Sequence, residues 1–148
     1  MDIELRPITK ENWKEVAALK LSQSQKGFVF DNSYSIAESF FCENSIAKGV
    51  FSNGKAVGFI MYESLDDEDK PDEVEFLRFM IDEKHQGKGL GKSVFRLALE
   101  EIRQTKGPKK VHICFMKENT VASSLYSSFG FESGGIDEHG QINLVLQT

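Results

Sequence analysis

The chain is 148 residues long, 40% hydrophobic and 28% charged, with a net charge of -5 and an isoelectric point of about 5.3. That is the size and make-up of one globular domain, long enough to bury about two-thirds of its unfolded surface. The acidic balance argues against general nucleic-acid binding, where phosphates are met by Lys and Arg, and suits a cationic small molecule.

Residues 2–8 alternate, with Ile3, Leu5 and Ile8 on one face, which predicts a strand. Thr9 is placed to cap a helix carrying Trp13, Val16, Ala17 and Leu21 on one buried stripe. Residues 22–33 read as a polar loop, followed by a short helix over Ser35–Phe41. Ile46–Phe51 and Ala56–Tyr62 are apolar runs joined through Asn53-Gly54, a hairpin signal. An acidic loop is expected over residues 64–73, then a strand over Val74–Asp82. Gly89–Lys106 has the three-and-four periodicity of a helix, on Leu90, Val94, Leu97, Ala98, Glu101 and Ile102, and Gly107-Pro108 ends it. Val111–Phe115 predicts a buried strand, Asn119–Phe129 a helix, and Phe131–Ser133 with Ile142–Leu146 a terminal hairpin. The order β-α-α-β-β-β-α-β-α-β-β is that of an α/β protein, a single domain over residues 1–148 built on one mixed sheet.

No apolar run approaches the roughly 20 residues that span a membrane, and the start has no signal-peptide pattern. Cys42 and Cys114 form no paired motif and read as free thiols in a reducing cytoplasm. His85, His112 and His139 are scattered, so no metal site is expected.

The stretch from Asp82 to Ser93 carries the most information. Gly87, Gly89 and Gly91 stand between a strand and a long helix, where glycine costs conformational entropy unless the backbone must approach a ligand. Free N–H groups at the helix start, the helix dipole, Lys88 and Lys92 together suit a phosphate or pyrophosphate. A Walker A loop would end in Gly91-Lys92-Ser93 but needs glycine where Gln86 stands. A Rossmann fingerprint misses its third glycine by one position. The pattern Gln-x-x-Gly-x-Gly fits, as Gln86 to Gly91.

That pattern resembles the GCN5-related N-acetyltransferase (GNAT) superfamily. A second constellation, Asn119, Ala122, Tyr126, Gly130 and Phe131, repeats the spacing found on that family's later helix. The resemblance implies a GNAT fold with two splayed parallel strands. It implies that Gln86, Gly87, Lys88, Gly89, Leu90, Gly91 and Lys92 hold the pyrophosphate of acetyl-CoA. Phe79, Met80 and Ile81 would pair with pantetheine, an N–H near Met80 or Ile81 would polarise the thioester carbonyl, and Asn119 and Ser123 would complete the cofactor site. Tyr126 would act as general acid towards the departing thiolate, in a direct transfer without an acyl-enzyme.

A protonated amine must lose a proton before it attacks, and Glu75 is the candidate base, expected on one strand face with Leu77, Phe79 and Ile81. The layout most resembles bacterial spermine/spermidine N-acetyltransferases, although those tend to carry an acid where Leu77 stands. The acidic run from Asp66 to Glu75 would draw a polycation. Other amines (a peptide N-terminus, lysine, an amino acid or an aminoglycoside) remain open, as do a non-catalytic acetyl-CoA sensor and a small nucleotide-binding module. No nucleic-acid or membrane partner is expected, and the oligomeric state is not legible in the residues; the resemblance implies a homodimer, with Ile142–Leu146 as the candidate interface.

Overall fold

A computed structural model describes residues 2–21 and 31–148. The strands are β1 (Ile3–Pro7), β2 (Ser45–Ser52), β3 (Lys55–Leu65), β4 (Lys70–Ile81), β5 (Lys110–Met116), β6 (Glu132–Ile136) and β7 (Gln141–Gln147). The helices are α1 (Trp13–Ala17), α2 (Asn32–Phe41), α3 (Leu90–Thr105) and α4 (Thr120–Ser128). One mixed sheet runs in the order β1-β2-β3-β4-β5-β7-β6, with β4 and β5 parallel and the other neighbours antiparallel.

Helices cover both faces. On one, Val94, Phe95, Ala98, Leu99 and Ile102 of α3 and Tyr126 of α4 pack over Ile60, Tyr62, Val74, Phe76 and Ile113. On the other, Val16 of α1 and Ile36 of α2 pack over Phe51, Phe59, Met61 and Met80. Alternation along β2 and β3 feeds both layers, because successive side chains leave opposite faces of a strand.

The Asn53-Gly54 turn has positive φ at both residues, 51° and 84°, as the hairpin expectation required. Other boundaries differ from expectation. The segment 64–73 is hardly a loop: β3 runs to Leu65 and β4 begins at Lys70, closed by one 3-10 turn over Asp66–Glu68. Charge patterning marked solvent exposure there, and the end of the hairpin accepts those charges across a register jump, from Ser64–Val74 to Leu65–Lys70, that leaves residues 71–73 unpaired with β3. The α2 helix begins at Asn32 because Asp31 caps it, accepting from the Ser33 N–H. The rest of the expected loop, residues 22–30, lies outside the described residues. In α1, Thr9 and Asn12 exchange reciprocal side-chain bonds at the start, but the helix stops at Ala17 and leaves Leu21 outside it. Trp13, expected inside, is 42% exposed. Ile142–Leu146 lies in β7, paired on both sides, so β6 and not β7 forms the sheet edge.

Candidate active site

The site begins where the parallel strands separate. The β4–β5 pairing covers Glu73–Phe76 opposite Lys110–Ile113 and then ends. Past Phe76, backbone groups on that edge of β4 have lost their ladder partners. A bulge coincides with the separation: Tyr62 faces Phe76 and Met61 faces Arg78, leaving Leu77 as the extra residue. An extra residue reverses the pleat. Val74 and Phe76 point to the α3 layer before it, and Phe79 and Ile81 after it, while Met80 and Leu77 pack into the α1–α2 layer. The expectation that Glu75, Leu77, Phe79 and Ile81 share one face is therefore corrected. Glu75 and Leu77 lie on the α2 side of the sheet, and Phe79 and Ile81 on the α3 side.

A cleft of about 420 Å³ opens at this separation. Phe79, Met80 and Ile81 form one wall, Gln86, Gly87, Gly91 and Lys92 one end, and Asn119 at the cap of α4 with Ala122 and Tyr126 within it the opposite wall. Leu21, Val121 and Leu125 also line it, and sequence reasoning did not single them out.

Short bonds hold the turn between β4 and α3. Asp82 Oδ1 accepts from the Lys20 N–H at 2.9 Å, and the Glu83 N–H donates to the Lys20 carbonyl at 2.7 Å. The Gln86 side-chain amide donates to the Ile81 carbonyl at 2.8 Å. Gly87 and Gly89 have φ of 78° and 75°, left-handed values that favour glycine, and Gly89 caps α3 without a side chain. Nothing stands within 4 Å of where a Cβ would sit on Gly87, Gly89 or Gly91. The helix start is thus an open cradle of N–H groups with Lys92 at its rim.

Four expected residues do not line the cleft, Gly89 at the cap of α3 and three others. Lys88 is exposed, Leu90 is buried in the α3 layer, and the Ser123 N–H bonds to the Asn119 carbonyl at 3.2 Å. Asn119 caps α4, its Oδ1 accepting from the Ala122 N–H at 3.3 Å. The Tyr126 ring sits among Phe95, Phe115 and Phe131, with centroids 5.1, 5.5 and 6.1 Å away. Its hydroxyl has no hydrogen-bond partner among the described residues and lies on the cleft wall, and burial raises its pKa.

On the α2 side of β4, Glu75 stands directly opposite Glu63 of β3 and His112 of β5. Burial pushes the Glu75 carboxyl above the ordinary range, and the Cys114 thiol works in the opposite direction. Burial, then the charges of Glu75, Glu68, Glu38 and Asp67, also raise Glu63. His112 Nε2 sits 2.5 Å from Glu73 Oε1 and holds that carboxyl low. Arg78 bonds Glu38 at 3.0 Å and Ser35 at 3.1 Å, tying β4 to α2. Cys114 is pushed up to about 11, chiefly by burial and then by Glu75. Sequence reasoning missed Glu63 and Asn143, which reach this face through strand register. Among the described residues no three of His, Cys, Asp and Glu group to hold a metal, and no helix is long and apolar enough to cross a membrane.

A mixed sheet that opens between two parallel strands, above a glycine turn and facing a tyrosine-bearing helix, defines an acetyltransferase fold. The sequence model of the Acetyltransferase (GNAT) family matches residues 11–131, and the chain belongs to that family. It is 29% identical to the spermine/spermidine N(1)-acetyltransferase of Bacillus subtilis over 151 aligned positions, covering 99% of each chain. The fold is shared with spermidine N-acetyltransferase from Vibrio cholerae in complex with CoA and spermine (TM-score 0.79, 17% identity, 98% and 95% covered). It is also shared with the PaiA N-acetyltransferase of Thermoplasma acidophilum in complex with coenzyme A (TM-score 0.73, 21% identity, 100% of each chain).

Proposed function

We propose that this acetyltransferase transfers the acetyl group of acetyl-CoA to a primary amine of a polyamine such as spermine or spermidine, by direct attack in a ternary complex. The observation that carries the reading is the cleft itself, which runs from a helix start with no side-chain cap to a tyrosine hydroxyl with no hydrogen-bond partner among the described residues.

The residues present fit the cosubstrate. Bare positions at Gly87, Gly89 and Gly91 leave room for a pyrophosphate on the N–H groups of residues 87–92, with Lys88 and Lys92 adding charge. The freed edge at Phe79, Met80 and Ile81 offers backbone groups to an amide-bearing pantetheine arm, and Asn119 faces that edge across the cleft. Bound acetyl-CoA supplies an activated thioester. An N–H near Met80 or Ile81 polarises its carbonyl. The raised pKa keeps Tyr126 protonated at neutral pH, a donor for the departing sulfur. Glu75 takes the ammonium proton, and its raised pKa brings it nearer the working pH of a base. A Cys114 thiol held near 11 stays protonated at neutral pH and is a poor nucleophile, which favours direct transfer.

A polyamine suits the α2 face, where Glu38, Glu63, Asp67, Glu68 and Glu75 concentrate negative charge. The name of the Bacillus subtilis relative supports the same substrate class. The test is a thiol-release assay with acetyl-CoA against spermine, spermidine, putrescine, lysine, short peptides and aminoglycosides. Turnover confined to spermine and spermidine is the expected result. Turnover with peptides or aminoglycosides alone would discard the polyamine.

A further inference from the structure

Cys114 lies one residue past the last β4–β5 pair, at the point where the strands separate. Its register partner on β7 is Asn143. The thiol reaches two oxygens, Asn143 Oδ1 at 2.5 Å on one side and Glu75 Oε1 at 3.6 Å on the other, so the structure records it turned towards Asn143 with Glu75 still within reach. A thiol carries one proton and can give it to one of them at a time. An ionised carboxylate is the stronger acceptor and a neutral amide the weaker. On acceptor strength alone, a charged Glu75 should draw the thiol proton from Asn143. Once Glu75 has bound a proton the preference is gone, and the thiol turns to Asn143.

We propose that Cys114 and Asn143 are positioning residues for the base, a donor and its alternative acceptor that follow the protonation state of Glu75. The inference rests on the reading of Glu75 as that base. Its consequence is selective support for the ionised carboxylate, the form able to receive the amine's proton. Asn143 gives the thiol somewhere to go when the proton has moved. The other groups around Glu75 act whichever way the thiol points. Glu63 from β3 and Glu68 from the 3-10 turn oppose its charge, while His112 from β5 and Lys70 at the start of β4 favour it. Asp137, in the turn after β6, acts on the thiol.

Substitutions at the two positions should therefore move Glu75 in opposite directions. Cys114→Ala removes the donor. Asn143→Ala removes the competing acceptor and leaves the donor on Glu75. A role in packing alone would give no such opposition.

The experiment follows the Glu75 side-chain carboxyl by NMR in protein carrying isotope-labelled glutamate, with the signal assigned through Glu75→Gln. Wild type, Cys114→Ala, Cys114→Ser and Asn143→Ala are titrated, and kcat/KM for spermidine is measured against pH in each. The expected midpoint rises by about one pH unit in Cys114→Ala, the scale of one hydrogen bond to a charged group. It stays near wild type in Cys114→Ser, which keeps a donor, and falls in Asn143→Ala. The acidic limb of kcat/KM should follow the midpoints. Midpoints that ignore both alanine substitutions, or move the same way in both, overturn the proposal. Midpoints that move as expected, in an enzyme whose Glu75→Gln variant keeps its kcat, uphold the thiol arrangement and remove Glu75 as the base.

Discussion

Glu63 and Glu75 face each other across β3 and β4, two carboxylates directly opposed in one antiparallel ladder. Like charges in that position oppose folding, and burial adds to the cost. The fold keeps them on the face that β4 presents beside the opening of the sheet.

Glu63→Gln should stabilise the protein at pH 7 by about 0.5 kcal/mol, within the range for a cross-strand pair. Both carboxyls have folded pKa values above their unfolded ones. The folded state therefore binds more protons between those values, and stability falls as pH rises through that window. The penalty is complete above the folded pKa and absent below the unfolded one, roughly 4.3 for glutamate. Urea unfolding at pH 7 and near pH 3.5 checks this, with the gain expected only at the higher pH. An equal gain at both would mean that charge is not its source.

Tyr126→Phe should lower kcat by roughly 100–10,000-fold, the scale of one general acid. Its melting temperature should hardly change, since the hydroxyl it loses has no partner among the described residues. Coenzyme A affinity should also hold. An unaltered kcat would take Tyr126 out of the chemistry.

Gly89→Ala and Gly91→Ala should separate strain from ligand approach. At Gly89, φ of 75° places alanine in the left-handed region at a cost of about 1–2 kcal/mol before any ligand binds. Gly91 lies in α3 with no such φ and open space around its missing Cβ, so Gly91→Ala should leave the free protein at least as stable as wild type, with a gain of up to about 1 kcal/mol. Both should weaken coenzyme A. Calorimetric binding and thermal unfolding read the two effects apart; full affinity in Gly91→Ala would move the pyrophosphate off this turn.

Glu75→Gln should reduce kcat/KM for spermidine by roughly 100-fold or more at pH 7. In wild type, the acidic limb should lie above the ordinary glutamate value, because the base must be ionised and burial raises its pKa. A limb at the ordinary value would point to an exposed carboxylate instead.

Much of the site was legible in the sequence because its signals are local. The glycine turn, its Gln86 and the Asn119–Ala122–Tyr126 spacing each occupy a few consecutive turns of chain, and the cleft brings them together. The hairpin at Asn53-Gly54 was equally local, since its turn demands positive φ at both residues. The ends of α1 and α2 were less legible. Caps at Thr9–Asn12 and Asp31 decide them, and polar residues of that kind also read as loop.

What the sequence determined by itself was the order of elements and the place of the glycine turn between β4 and α3. Periodicity and turn chemistry act between near neighbours, so they survive without knowledge of the fold. Tertiary structure decided which residues share a face. The bulge at Leu77 is invisible without the β3 partner strand, and it alone puts Glu75 on the opposite side from Phe79 and Ile81. The same holds for Glu63 against Glu75 and Asn143 against Cys114, pairs separated by long stretches of chain and joined by register. In a strand, side chains alternate with a period of two residues, so one inserted residue reverses every later assignment, and only the pairing reveals where it was inserted.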